Sequence, residues 1–143
     1  EQVFERFGEL YRIGKAEGIS LCQENVVHYR SESPEFLENM RLALGDDFKM
    51  VLDIKQARRT GIDPYVFVDR FADSIVHVHI SDYTKEKDCV VPFCEGAQFD
   101  FKTFFDTMKK KGYKGDYIIE LYEHSYRDAG EIRRAKELLK KCL

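Results

Sequence analysis

Four side chains in this sequence have the types and positions to do chemistry together: Glu24, Asp53, His79 and Glu120. Each lies at or near the C-terminal end of a segment that reads as a strand. Three carboxylates gathered in a semi-enclosed place repel one another, and their ionised forms are costly to keep without a cation. Three carboxylates and one imidazole suit Mn²⁺, Mg²⁺, Co²⁺ or Zn²⁺. One acid at a strand end more often caps the next helix or pairs with a lysine. The case for a metal rests on four such residues in phase on successive strands, because buried charges seldom go unpaired.

The elements that must position them alternate. Val3, Phe7, Leu10 and Tyr11 fall at helical spacing, so residues 1–17 read as an amphipathic helix ended near Gly18. Residues 19–24 read as a strand. Ser33 and Pro34 make a cap-plus-proline helix start; Phe36, Leu37, Met40 and Leu44 form its apolar face, and Gly45 its stop. Residues 49–54 give a second strand. Asp63 and Pro64 open another helix, with Val66, Phe67 and Phe71 as its expected buried stripe. Residues 74–80 are a third strand, followed by a long loop from Ser81 to about Phe99. Asp100 caps a helix carrying Phe101, Phe104, Phe105 and Met108, read as core packing. Lys109 to Lys111 close it, where cations suit the helix dipole, and Gly112 stops it. Residues 116–122 are a fourth strand. Ile132, Ala135, Leu138 and Leu139 mark a last helix.

Strands alternating with helices call for a parallel sheet covered by helices. Four β/α units make half of a (β/α)₈ barrel, which needs about 250 residues. The expected fold is α/β, the C-terminal half of a TIM barrel, with residues 1–143 as one partial domain. A flavodoxin-like open sheet is the alternative, weakened because no glycine-rich phosphate loop follows the first strand. Alternate strand residues face a barrel's interior. On the third strand Ile75, His77 and His79 are expected inside, and Val76, Val78 and Ile80 outside. Leu21, Met50, Leu52, Ile54, Ile119 and Leu121 are likewise assigned outward, and Cys22, Val51 and Ile118 inward with the acids. The four site residues then converge at the C-terminal mouth, where barrel active sites sit.

With these residues in view, the sequence resembles the xylose isomerase-like superfamily, which includes ketose 3-epimerases, inosose-type sugar enzymes and endonuclease IV. The likeness is carried by Gln23-Glu24-Asn25, by Val51-Leu52-Asp53-Ile54 with Gly61 beyond, by His77-Val78-His79-Ile80-Ser81-Asp82, by Glu95-Gly96 before Phe99-Asp100-Phe101, and by Ile119-Glu120-Leu121-Tyr122. Together these are specific for the superfamily and not for a substrate.

The resemblance implies that Glu24, Asp53, His79 and Glu120 bind one divalent metal, and that Glu24 and Glu120 form the acid/base pair on either face of a sugar. One carboxylate removes a proton from carbon to give an enediolate, and the other returns it, with no organic cofactor. It implies a metal-dependent sugar or sugar-derivative isomerase or epimerase. An endonuclease IV-like phosphodiesterase and a non-catalytic sugar-binding barrel are the alternatives. Gln56 stands where many members carry a histidine; it can hydrogen-bond a hydroxyl but is a poor metal ligand. That substitution, with the absence of histidine from the loop after Asp82, counts against the three-zinc site of endonuclease IV. Asp82 supplies the acid that follows the third-strand histidine in epimerases, but Tyr83, Thr84 and Lys85 come next where an arginine is common. Cys94 replaces a glycine before Glu95-Gly96. Gln56, Asp82, His28 and Tyr122 are the expected substrate contacts. His124, Glu123 and Tyr126 are also near enough to the mouth to line it, while His77, one layer below His79, reads as a hydrogen-bonded interior histidine.

Composition sets the remaining bounds. A net charge of −3 leaves no basic footprint for nucleic acid. No apolar run approaches the length needed to span a bilayer, and no signal peptide is visible. Cys22, Cys89, Cys94 and Cys142 form no C-x-x-C pair, so free thiols and a cytoplasmic setting are expected. The expected partner is a small sugar. A half barrel with two unpaired sheet edges and one unfilled face should also self-associate.

Overall fold

A computed structural model describes residues 2–143. The first helix, α1 (Gln2–Ala16), is stopped by Gly18 in the left-handed region at φ 69°. The first position of the helix expected over 1–17 lies outside the described residues. Then follow β1 (Gln23–Glu24), α2 (Pro34–Leu44), β2 (Met50–Asp53), α3 (Ile54–Arg59), α4 (Pro64–Phe71), β3 (Ile75–Ile80), α5 (Phe101–Lys110), β4 (Asp116–Ile119) and α6 (Ala129–Lys140). The caps form as their residues dictate. Ser33 Oγ accepts from Phe36 N at 3.2 Å, Asp63 Oδ1 from Tyr65 N at 3.0 Å, and Asp100 Oδ1 from Thr103 N at 3.0 Å. Gly45 ends α2 at φ 58°.

The four strands form one parallel sheet in the order β1-β2-β3-β4. Each strand lies beside its predecessor, without the reversal of order that defines a doubly wound open sheet. This is the α/β half barrel, and the flavodoxin-like alternative falls away. The core lies between sheet and helices: Met50, Leu52, Val78 and Ile80 pack with Leu37, Met40, Phe67, Phe71, Phe104, Phe105 and Met108. The phenylalanine stripe of α5 is core, as read from its spacing.

Several expectations are corrected. The strands are shorter than residue type suggested. β1 keeps only two residues, Ile54 already belongs to α3, and Glu120 sits one residue beyond β4. A register shift separates the β2–β3 pairs Met50–Ile75 and Val51–His77, leaving Val76 as the extra residue. This bulge exchanges two side chains. Ile75 joins the helix-side core, and Val76, expected there, is 36% exposed. The backbone at the bulge needs a glycine opposite it, because a Cβ at Gly115 would collide with the Val76 carbonyl oxygen. On α4, Val68 is buried in place of Val66, which points outward. Val3, Leu10 and Leu21 at one flank and Leu138 at the other are exposed. The four cysteines are free. No helix among the described residues is long and apolar enough to cross a membrane.

Candidate metal centre

The strand register assembles the site. Asp53 pairs with His79 across β2 and β3, while Glu24 pairs with Val51 one strand earlier. Adjacent strands lie about 4.8 Å apart, so side chains projecting from the same face at these positions meet. Glu120 follows β4 directly, and its backbone N–H donates to the Ile80 carbonyl at 2.9 Å, which fixes it beside β3. Glu24, Asp53, His79 and Glu120 each offer one ligand atom, and these four atoms lie within 4.8 Å of one another.

Asp53 divides its two oxygens. Oδ1 caps α3 by accepting from Gln56 N at 2.9 Å. Oδ2 is buried and has no hydrogen-bond partner; the same is true of His79 Nδ1. The nitrogen lies 3.4 Å from Glu24 Oε1, 3.3 Å from Glu120 Oε2 and 3.8 Å from Asp53 Oδ2, close contacts without hydrogen-bond geometry. Buried polar atoms are normally paired. Two orphans aimed into one space, flanked by two more carboxylates, are a donor set that fits a divalent cation. Apart from the Lys55 ammonium 3.4 Å away, an aspartate that only capped its helix would leave Oδ2 with no partner.

The electrostatics agree. Asp53 and then Glu24 push the His79 imidazole up to about 10 against the opposing effect of burial. Burial works to raise the Asp53 carboxyl, but His79, Glu120 and Lys55 hold it down to about 2. Glu120 is shifted upward, first by burial and then by its contact with Asp53.

Two residues escaped sequence reasoning. Asn25 is buried and bolts β1 to β2 reciprocally: its Nδ2 donates to the Asp53 carbonyl at 3.0 Å, and its Oδ1 accepts from Asp53 N at 2.8 Å. This sets Glu24 beside Asp53. The signal was an amide directly after a site acid. The other is Lys55, only 3% exposed, whose ammonium donates to Glu120 Oε2 at 3.0 Å and lies 3.4 Å from Asp53 Oδ2. By strand alternation a lysine two residues after the inward-facing Asp53 falls on the same face, so the pattern did offer a signal. In the structure it lies in the first turn of α3, buried against the site.

The four expected substrate contacts diverge. Tyr122 borders the site: Lys55 Nζ lies 4.6 Å from its ring centre, Arg59 donates to its hydroxyl at 2.7 Å, and His124 stacks on it at 5.5 Å. Gln56 Oε1 accepts from Val27 N at 3.3 Å, so its carbonyl end ties the loop after β1 to α3. His28 is exposed in that loop at φ 69°, its backbone N–H held by Glu32. Asp82 is 2% exposed and turned into its own loop, where its two oxygens accept from the backbone N–H groups of Tyr83, Phe93, Gln98 and Phe99. With its oxygens engaged in this way, Asp82 organises the loop over residues 81–99. His77 stands one layer below the centre, its ring edge-on to His79 at 5.3 Å.

Known proteins share this fold. The family described as "Xylose isomerase-like TIM barrel" matches residues 1–142. L-ribulose-5-phosphate 3-epimerase UlaE of Escherichia coli is 39% identical over 67 residues, 46% of this chain and 23% of that protein. The 3-keto-D-glucoside 4-epimerase YcjR of E. coli superposes with a TM-score of 0.80 at 16% identity, over 98% of this chain and 52% of that one. An L-ribulose 3-epimerase gives 0.74 at 18% identity, over 96% and 51%. At these identities the superpositions bear on fold alone. The chain spans about half the length of those solved structures and aligns with under a quarter of the curated relative. With its four-stranded sheet, sequential strand order and near-complete family match, the chain belongs to the xylose isomerase-like TIM barrel family.

Proposed function

We propose that this chain carries the metal-binding half of the active site of a sugar or sugar-derivative isomerase or epimerase. Glu24, Asp53, His79 and Glu120 would hold one divalent ion, Mn²⁺, Mg²⁺, Co²⁺ or Zn²⁺. The observation that carries this reading is the pair of buried ligand atoms without a hydrogen bond, Asp53 Oδ2 and His79 Nδ1, inside a four-ligand cluster. The name of the curated relative, an L-ribulose-5-phosphate 3-epimerase, supports the reaction class.

When bound, the ion would act as a Lewis acid on a substrate carbonyl and its neighbouring hydroxyl. The chain's own residues do the rest. Glu24 and Glu120 have partly exposed side chains, whereas that of Asp53 is buried. The two glutamates are therefore the acids able to meet a substrate carbon. One accepts the proton from the carbon beside the carbonyl, and the electron pair left behind forms the enediolate double bond. The other donates a proton to the opposite face, so the centre inverts with no net gain or loss of electrons. Tyr122 and the stacked His124 line the rim, while Asn25 and the Asp53 cap keep the ligands in register.

The chain is proposed to be one partial domain, cytoplasmic like other free-thiol proteins. Its open sheet face is proposed to drive self-association, and turnover by this piece alone should be slight. Metal content by mass spectrometry, after dialysis against Mn²⁺ or Zn²⁺, tests the core of the reading. The expected result is about one ion per assembled site, lost in the double variant Asp53→Asn, Glu120→Gln. Metal retained undiminished by that variant would overturn the ligand assignment. With one ion confirmed, a sugar panel on the longer protein tests the reaction class.

A further inference from the structure

Lys55 is the one cation built into the proposed centre that is not among its ligands. Its ammonium contacts two of the proposed ligand carboxylates, through Glu120 Oε2 and Asp53 Oδ2. Its side chain is buried, and its ammonium lies 4.6 Å from the centre of the Tyr122 ring. A buried lysine is expensive unless it is paired. Pairing it with two acids that already have a proposed partner needs an explanation.

Charge supplies one. Glu24, Asp53 and Glu120 as carboxylates carry three negative charges among the four proposed ligands. With neutral His79, a divalent ion leaves that set one charge short of neutral, and a trivalent ion matches it. Lys55 changes the balance, because adding its single positive charge leaves two negative charges, which one divalent ion neutralises. Geometry supplies the second part. Glu120 lies just beyond β4 with its side chain 45% exposed, and the only side chain that donates a hydrogen bond to its carboxylate among the described residues is Lys55.

We infer that Lys55 is a charge-setting and positioning residue of the centre, fixing the Glu120 carboxylate and matching the ligand set to a single divalent cation in preference to a trivalent one. This rests on the metal-site reading above.

The test measures Mn²⁺ and Tb³⁺ affinities at pH 7 on this chain and on Lys55→Met and Lys55→Arg. Calorimetry reads Mn²⁺, and tyrosine-sensitised luminescence reads Tb³⁺. Because Coulomb energy scales with the charge of the ion, removing one positive neighbour favours the trivalent ion more than the divalent one. In Lys55→Met the ratio of Tb³⁺ to Mn²⁺ affinity should rise by at least about tenfold, and Lys55→Arg should restore it. Loss of packing alone would weaken both ions together and leave the ratio unchanged. Binding of both ions with a ratio unchanged within about twofold overturns the inference and leaves the metal site standing. If neither ion binds the unaltered chain or a variant with an unaltered melting curve, the metal reading fails and this inference with it.

Discussion

The two faces of the sheet differ in almost every respect. On the helix side Met50, Leu52, Val78 and Ile80 are sealed among phenylalanine, leucine and methionine side chains. On the other face Val51, His77, His79 and Glu120 are only partly covered, and Ile118 is 47% exposed. The helix side holds the fold and carries no chemistry. The open side carries the chemistry and contributes little to stability, because burial of apolar surface is the dominant favourable term. In a closed barrel both faces are packed. In this chain they can be perturbed separately, and the largest expected effect is on the helix side. Phe104→Ala empties a fully buried site in the aromatic cluster with Phe99, Phe105 and Tyr65. It should cost about 3–5 kcal/mol, read as a fall in the denaturant midpoint at unchanged slope. A loss below about 1 kcal/mol would mean that the helix layer is not where stability resides.

How far the sequence revealed this division depended on whether the information was local. Helix caps are local, so Ser33, Asp63 and Asp100 could be placed by type and spacing, and each forms its expected bond. The four proposed ligands were legible because strand ends in a parallel barrel converge whatever lies between them. What stayed hidden depends on long-range registration. The bulge that buries Ile75 and exposes Val76 is set by pairing with β2 and by the close approach of Gly115, neither visible in the alternation of Ile75-Val76-His77-Val78. Lys55 was passed over although alternation from Asp53 puts it on the inward face; what the sequence did not show is that β2 stops at Asp53 and that Lys55 is buried in the first turn of α3. Asp82 has the type of a substrate contact, but the fold of its loop turns it inward to four backbone amides.

The boundary between the two faces gives an intermediate effect. Asn25 belongs to neither layer: it is buried at the sheet's upper edge and makes two hydrogen bonds to the backbone of Asp53. Asn25→Ala leaves the Asp53 N–H and carbonyl without these partners, at a cost of about 1–3 kcal/mol. It should also weaken Mn²⁺ binding by about tenfold or more, because it frees Glu24 to move relative to Asp53. Calorimetric titration beside a urea melt separates the two effects. Full Mn²⁺ affinity in a destabilised variant would make Asn25 a purely structural bolt.

The smallest effect on stability is expected on the open face, where it is coupled to a large effect on assembly. Ile118 has little to lose on substitution, since nearly half of its surface is already in water. Ile118→Lys should therefore change the chain's own unfolding free energy by within about 0.5 kcal/mol, as exposed substitutions usually do. Should two copies cover each other's open faces, the same lysine would be forced into an apolar interface without a partner. Light scattering should then show the unaltered chain as a dimer or larger and the variant shifted toward monomer, with melting compared at matched dilution because assembly stabilises by mass action. A monodisperse monomer for the unaltered chain would show that the open face tolerates water, and the contrast between the two faces would then concern chemistry alone.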